Sequence, residues 1–99
     1  MHRDSALRIL RDAAPALRER YGVVGACLFG SVARGDNDAL SDVDVAVQFD
    51  DGAPLDVMKL CGVSGFLSSL FETDVDVVVQ PTRNSGLSAV IEREAVVAF

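Results

Sequence analysis

The chain reads as one small α/β (α+β) domain, a short mixed sheet flanked by helices, and three observations predict it. Two stretches, Ser41-Asp-Val-Asp-Val-Ala-Val-Gln48 and Thr73-Asp-Val-Asp-Val-Val-Val-Gln80, alternate polar and apolar residues as half-buried strands do. The segment between them carries apolar residues at three- and four-residue spacing, the mark of a helix crossing from one strand to the next. At 99 residues the chain has the length of a single domain, 1–99, with no room for a second core.

Leu7, Leu10, Ala14, Leu17 and Tyr21 recur at helical steps and place a first helix over 4–20. Pro15 inside it predicts a kink or a restart, and Gly22 its end. The apolar run Val23–Phe29, bounded by Gly22 and Gly30, predicts a buried strand over 23–29. Residues 30–41 form a polar, glycine-marked connection with room for a short helical turn after Ser31. Val43, Val45, Val47 and Phe49 then alternate with Asp42, Asp44, Ala46 and Gln48, a strand over 43–49. Asp50-Asp51-Gly52 reads as a turn, and Pro54 suits the first turn of a helix over 54–71. Its apolar face is drawn by Leu55, Met58, Val63, Phe66, Leu67 and Leu70, and interrupted by Gly62 and Gly65. A third strand covers 75–80 and Pro81 closes it. A last helix covers 85–94, and residues 95–99 form an apolar tail. That tail either packs on its own sheet or offers a docking surface. The two Asp-Val-Asp strands echo each other at an offset of 32 residues, which we read as two strands answering one demand rather than a repeat array.

Composition narrows the function. Hydrophobic residues make up 49% of the chain and the mean hydropathy is +0.28, which excludes a disordered chain. The longest apolar stretch, residues 21–30, falls well short of the ~20 residues of a membrane span. The first residues lack the basic-then-apolar pattern of a signal peptide, so the expectation is a cytoplasmic protein with Cys27 and Cys61 reduced. Fifteen acidic against nine basic residues give a net charge of −6, which argues against direct binding to a nucleic-acid backbone. The same charge repels a nucleoside triphosphate unless divalent cations intervene.

The carboxylates are where chemistry is expected. Residues two apart on a strand share a face, so Asp42 pairs with Asp44 and Asp74 with Asp76. A helical crossover between the two strands favours parallel pairing, which sets the strand starts side by side and gathers these acids on one edge. Like charges so placed repel unless cations neutralise them. Two Mg²⁺ ions in phosphoryl or nucleotidyl transfer are what such a cluster serves. Ahead of the second strand, Gly30 removes a side chain so that backbone N–H groups can approach phosphate oxygens, Ser31 adds a hydroxyl and Arg34 a planar cation. An antiparallel first pair of strands then sets Gly30-Ser31 across from Asp42 and Asp44.

Gly30-Ser31, ten intervening residues and Asp42-Val-Asp44 resemble the signature of the polymerase-β-like nucleotidyltransferase superfamily. Arg34-Gly35, Ser41, Val75-Asp76-Val77-Val78 and Arg93-Glu94-Ala95-Val96 are similar to its minimal nucleotidyltransferase branch, over nearly the whole chain. The resemblance implies a polymerase-β-like fold and Mg²⁺-dependent transfer of AMP from ATP. In it Asp42 and Asp44 hold the metals, Asp76 completes that site and helps to deprotonate the attacking hydroxyl, and Gly30 and Ser31 hold the triphosphate, to which the planar cation of Arg34 adds on the residue chemistry above. It further implies a partner, an all-helical HEPN-type RNase toxin, for which members of this branch are antitoxins. Asp74 departs from the branch, where that position is commonly basic; it is either a surrogate ligand or an exposed acid. Two alternatives of function stay open: a non-catalytic antitoxin that masks its partner, and a transferase for a small hydroxylated substrate.

Simpler readings stand beside these. The aspartates could form a solvated strand face, although Asp is disfavoured in strands. Arg34 could be a turn residue paired with Asp36 or Asp38. Both cysteines read as core packing, and His2 as a disordered terminal residue.

Overall fold

The computed structural model describes residues 2–36, 42–50, 56–80 and 85–99. A helix α1 (Arg3–Tyr21) leads into strand β1 (Val23–Phe29) and a short helix α2 (Gly30–Arg34). Strand β2 (Val43–Phe49), helix α3 (Val57–Phe71) and strand β3 (Val75–Gln80) follow, then helix α4 (Ser85–Glu94) and a two-residue strand β4 (Val96–Val97). The sheet order is β3-β2-β1-β4. β1 runs antiparallel to β2 and β4, and β2 runs parallel to β3. β1 carries the bounds expected from its apolar run, β2 and β3 those expected from alternation, and the parallel pair is joined through α3 as expected.

The register of that pair explains the echo in the sequence. Val43 lies beside Val75 and Asp44 beside Asp76, so each residue of β2 neighbours its own echo. Both strands therefore send valines to one face and aspartates to the other. Val43, Val45, Val47 and Val75 join Leu7, Leu10, Leu17, Leu28, Val63 and Leu67 in the main core, under α1 and α3. On the opposite face Phe29, Ala46 and Ile91 form a second, smaller core with Cys27, Val78, Leu87 and Val90, so α4 covers that side. Burying each large apolar side chain of this kind contributes about 1.5–3 kcal/mol.

Several local expectations are corrected. α1 continues through Pro15 without a restart. Buried Leu10, Ala13 and Leu17 lie on both sides of the proline, and their packing outweighs the missing N–H. His2 is an ordered cap: its Nδ1 accepts the Asp4 N–H at 3.2 Å. On α3 the buried stripe is Val63, Leu67 and Phe71, at steps of four. Met58 lies on the far side of the helix and is 81% exposed, and Leu70 sits at the edge of the stripe. Cys61 is exposed rather than packed in the core, while Cys27 is half-buried and its thiol is pushed up by burial. The tail packs on its own sheet: β4 pairs with β1, Ala98 is buried, and the Ala26 N–H donates to the Phe99 carbonyl at 3.2 Å. Only Val97 of its apolar side chains stands clear of the protein. The turn at Asp51-Gly52, the helix start at Pro54 and Leu55, and the closure at Pro81 lie outside the described residues. No helix among the described residues is long and apolar enough to cross a membrane.

The two glycines inside α3 have opposite roles. A Cβ on Gly62 would come within 2.7 Å of Tyr21 Cε1, whereas one on Gly65 would meet open space. Gly65→Ala is expected to stabilise the protein by about 0.5–1 kcal/mol, the helix-propensity gain. Gly62→Ala should instead destabilise by about 1 kcal/mol, because the Tyr21 ring, stacked edge-on against Phe66, must move. Urea midpoints of the two variants measure the difference.

Candidate functional site

β2 is flanked on both sides, so an acid on it is held between neighbours. Asp44 is paired with Phe29 on β1 and with Asp76 on β3. Its side chain lies on the α4 face, at the end of the sheet where the second core stops. Asp44 is half-buried, while Asp42 and Asp76 are exposed. Its carboxyl is raised above the ordinary value of 3.8, first by burial, then by the charges of Asp76 and Asp42 and by a hydrogen bond with Asp76; the Arg34 cation acts the other way. Asp74 is exposed at the start of β3, and its carbonyl accepts the Val43 N–H at 3.2 Å, so its backbone aligns the two strands.

β1 ends at Phe29, directly beside Asp44, and the chain turns there into α2. Gly30 takes φ +76°, a left-handed value that suits glycine. A Cβ at this position would overlap Asp44 Oδ2 and stand 3.0 Å from Asp44 Cγ. The Gly30 backbone is thus packed against the carboxylate. Ser31 follows, half-buried in the first turn of α2, and Val32 and Ala33 anchor the helix in the core. Arg3 Nη1 reaches the Ala33 carbonyl at 3.4 Å and ties α2 to α1.

Arg34 ends α2. Its Nε donates to Asp36 Oδ2 at 3.0 Å and its Nη1 to Glu94 Oε2 at 2.9 Å. These two carboxylates raise the pKa of the guanidinium. The expected pairing with Asp36 is present; Asp38 and Ser41 lie outside the described residues. Glu94, the last residue of α4, was missed as a site residue from sequence. It stands 60 positions from Arg34, and no local pattern relates them.

The structure therefore brings together Asp44, Asp76, Gly30 and, at the rim, Arg34. Asp42 precedes them by one strand repeat on the same face. The donors are all carboxylate oxygens, the set that suits hard divalent cations such as Mg²⁺. Among the described residues no three such side chains close into a preformed cage. The fit to a cation rests on the in-register Asp44 and Asp76 and on the open side they face, where a hard divalent ion would find carboxylate oxygens and solvent.

A profile of the nucleotidyltransferase domain matches residues 10–97. The protein adenylyltransferase MntA of Thermococcus cleftensis is 36% identical over 88 residues, covering 89% of this chain and 87% of its own. A solved structure described as a candidate minimal nucleotidyltransferase superposes with a TM-score of 0.74 at 32% identity, over 97% of this chain and 95% of that one. A Shewanella oneidensis complex of a tri-AMPylated HEPN toxin with an MNT antitoxin shares the fold, with a TM-score of 0.62 at 23% identity over 98% of this chain and 68% of that one.

Proposed function

The chain belongs to the nucleotidyltransferase domain family, in its minimal branch, and from that premise we propose that it moves AMP from ATP to a hydroxyl of a partner protein. The observation that carries this reading is the rung Asp44–Asp76 beside the side-chain-free Gly30. Strand neighbours hold two carboxylates against each other there, and the missing side chain of Gly30 lets its backbone pack directly on the carboxylate of Asp44. In this reading Asp42, Asp44 and Asp76 hold two Mg²⁺ ions, and Gly30, Ser31 and Arg34 hold the triphosphate. Bound there, Mg²⁺ supplies charge neutralisation for the carboxylates and for the phosphoryl oxygens.

The acceptor hydroxyl oxygen forms a bond to the α-phosphorus, the bond from that phosphorus to the bridging oxygen breaks, and pyrophosphate leaves. Asp76 takes the hydroxyl proton; it is exposed on the open side of the rung, whereas Asp44 is half-buried. The partner is a HEPN-type toxin, the class bound by the structural relative, and the chain is then an antitoxin acting in the cytoplasm. The relative's name as a protein adenylyltransferase supports protein over small-molecule acceptors.

The test uses ATP labelled on the α-phosphate, with Mg²⁺ and the protein encoded beside this one. Label on the partner with wild-type protein, and none with Asp42→Asn/Asp44→Asn, is the expected result. A stable complex without label would assign the function to binding alone. Within the site, Asp76→Asn is expected to lower transfer by about 10²–10⁴-fold, the range of a general base, and Asp74→Asn by less than about tenfold. The reverse order would exchange the roles of the two acids.

A further inference from the structure

α2 is five residues long, too short to hold its shape unaided. Its buried side is fixed by Val32 and Ala33, but its last side chain, Arg34, faces outward at the rim of the site. What orients Arg34 comes from α4. The Glu94 side chain is 22% exposed, against 60% for Asp36, so Glu94 is the more sheltered of the two carboxylates on the guanidinium. Asp36 belongs to the same turn as Arg34 and moves with it; Glu94 belongs to a helix packed on the sheet through Ile91. Exposed ion pairs of this kind contribute little to stability, so the pair is poorly explained as a fastening. It accounts instead for the direction of a flexible side chain. The two bonds occupy two of the five N–H donors of a guanidinium and leave others to meet a phosphate.

We propose that Glu94 is a positioning residue, which through Arg34 aims the guanidinium at the polyphosphate of the nucleotide. The inference rests on the nucleotide reading above. Glu94 carries a charge of the same sign as the substrate, so its two conceivable effects have opposite signs: positioning strengthens nucleotide binding, and simple repulsion weakens it.

The experiment measures ATP binding by calorimetry in the presence of Mg²⁺, with the melting temperature alongside, for the full chain. Glu94→Ala is expected to raise Kd about tenfold, the scale of one charge-assisted hydrogen bond, with the melting temperature moving by no more than about 3 °C. Glu94→Gln keeps an acceptor oxygen and should return Kd to within about threefold of wild type. In an Arg34→Gln background the Glu94 substitutions should have no further effect, since the path runs through Arg34. Tighter binding in both Glu94 variants, unchanged binding, or losses that add to that of Arg34→Gln would each overturn the proposal. Wild-type protein that binds no ATP overturns the nucleotide reading itself, and that result is seen before any substitution is made.

Discussion

Asp44→Asn is expected to abolish AMP transfer, by about 10³-fold or more, while raising the melting temperature of the protein without nucleotide or metal. The two effects share one cause. Asp44 sits between Phe29 and Asp76 on the central side of the site, and its carboxyl is raised by burial and by the charges of Asp76 and Asp42. A carboxyl whose pKa is higher folded than unfolded is bound more tightly by its proton in the folded state. Its ionisation therefore costs stability, beginning as pH rises past the ordinary 3.8 and complete above the folded value. Neutral Asn removes that cost at pH 7, by a modest amount because the group is only half-buried and solvent screens it. On acidification the wild type should recover the difference and the variant should not. Millimolar Mg²⁺ should raise the melting temperature of the wild type and leave Asp44→Asn unmoved, since a ligand held by the native state stabilises it. Melting curves at neutral and mildly acidic pH, with and without Mg²⁺, carry the whole comparison. Near-wild-type transfer in the variant would remove Asp44 from the metal assignment, and a lower melting temperature at neutral pH would contradict the repulsion.

How much of this was legible beforehand depends on how far apart in sequence the cause lies. The alternation of Val with Asp over a few residues was sufficient to locate β2 and β3, and the 32-residue echo already held their register, Val43 beside Val75. The pattern is local and its period is two, so a one-residue error would have turned every valine outward. Gly30, Asp44 and Asp76 could be placed on one edge by the same logic. The fate of the tail was not decided by its own residues, because an apolar run suits a sheet edge and a docking surface equally; the Ala26–Phe99 backbone bond settles it. Met58 and Cys61 were misplaced because the glycines of α3 obscured the phase of the helix, which the buried steps Val63, Leu67 and Phe71 define. The Arg34–Glu94 pair had no local signature at all, since it depends on α4 folding over the sheet.

Gly30→Ala should be the most damaging methyl among the glycines whose surroundings the structure describes. Two costs add at this position. The φ of +76° is one that L-residues adopt at a cost of about 1–2 kcal/mol. The new Cβ would also overlap Asp44 Oδ2 and press on Asp44 Cγ at 3.0 Å and Cβ at 3.3 Å. Relief requires either Asp44 to leave its place beside Asp76 or the Phe29–Asp44 rung to part, and both disorganise the site. The expected loss is about 2–3 kcal/mol in stability and at least about 10²-fold in transfer. Gly35 provides the control: its φ is +82°, but a Cβ there meets nothing within 4 Å. Gly35→Ala should therefore lose only the backbone cost, about 1 kcal/mol, and little activity. A third variant separates the steric part from the conformational part. Placing Asp44→Ala on the Gly30→Ala background removes the clashing carboxylate, so stability should recover towards that of Gly35→Ala while transfer stays absent. Urea midpoints of the three variants read the comparison directly. Equal losses for Gly30→Ala and Gly35→Ala would mean that the carboxylate has room to move aside, and the close seating of the Gly30 backbone on Asp44 would then have no part in holding the nucleotide.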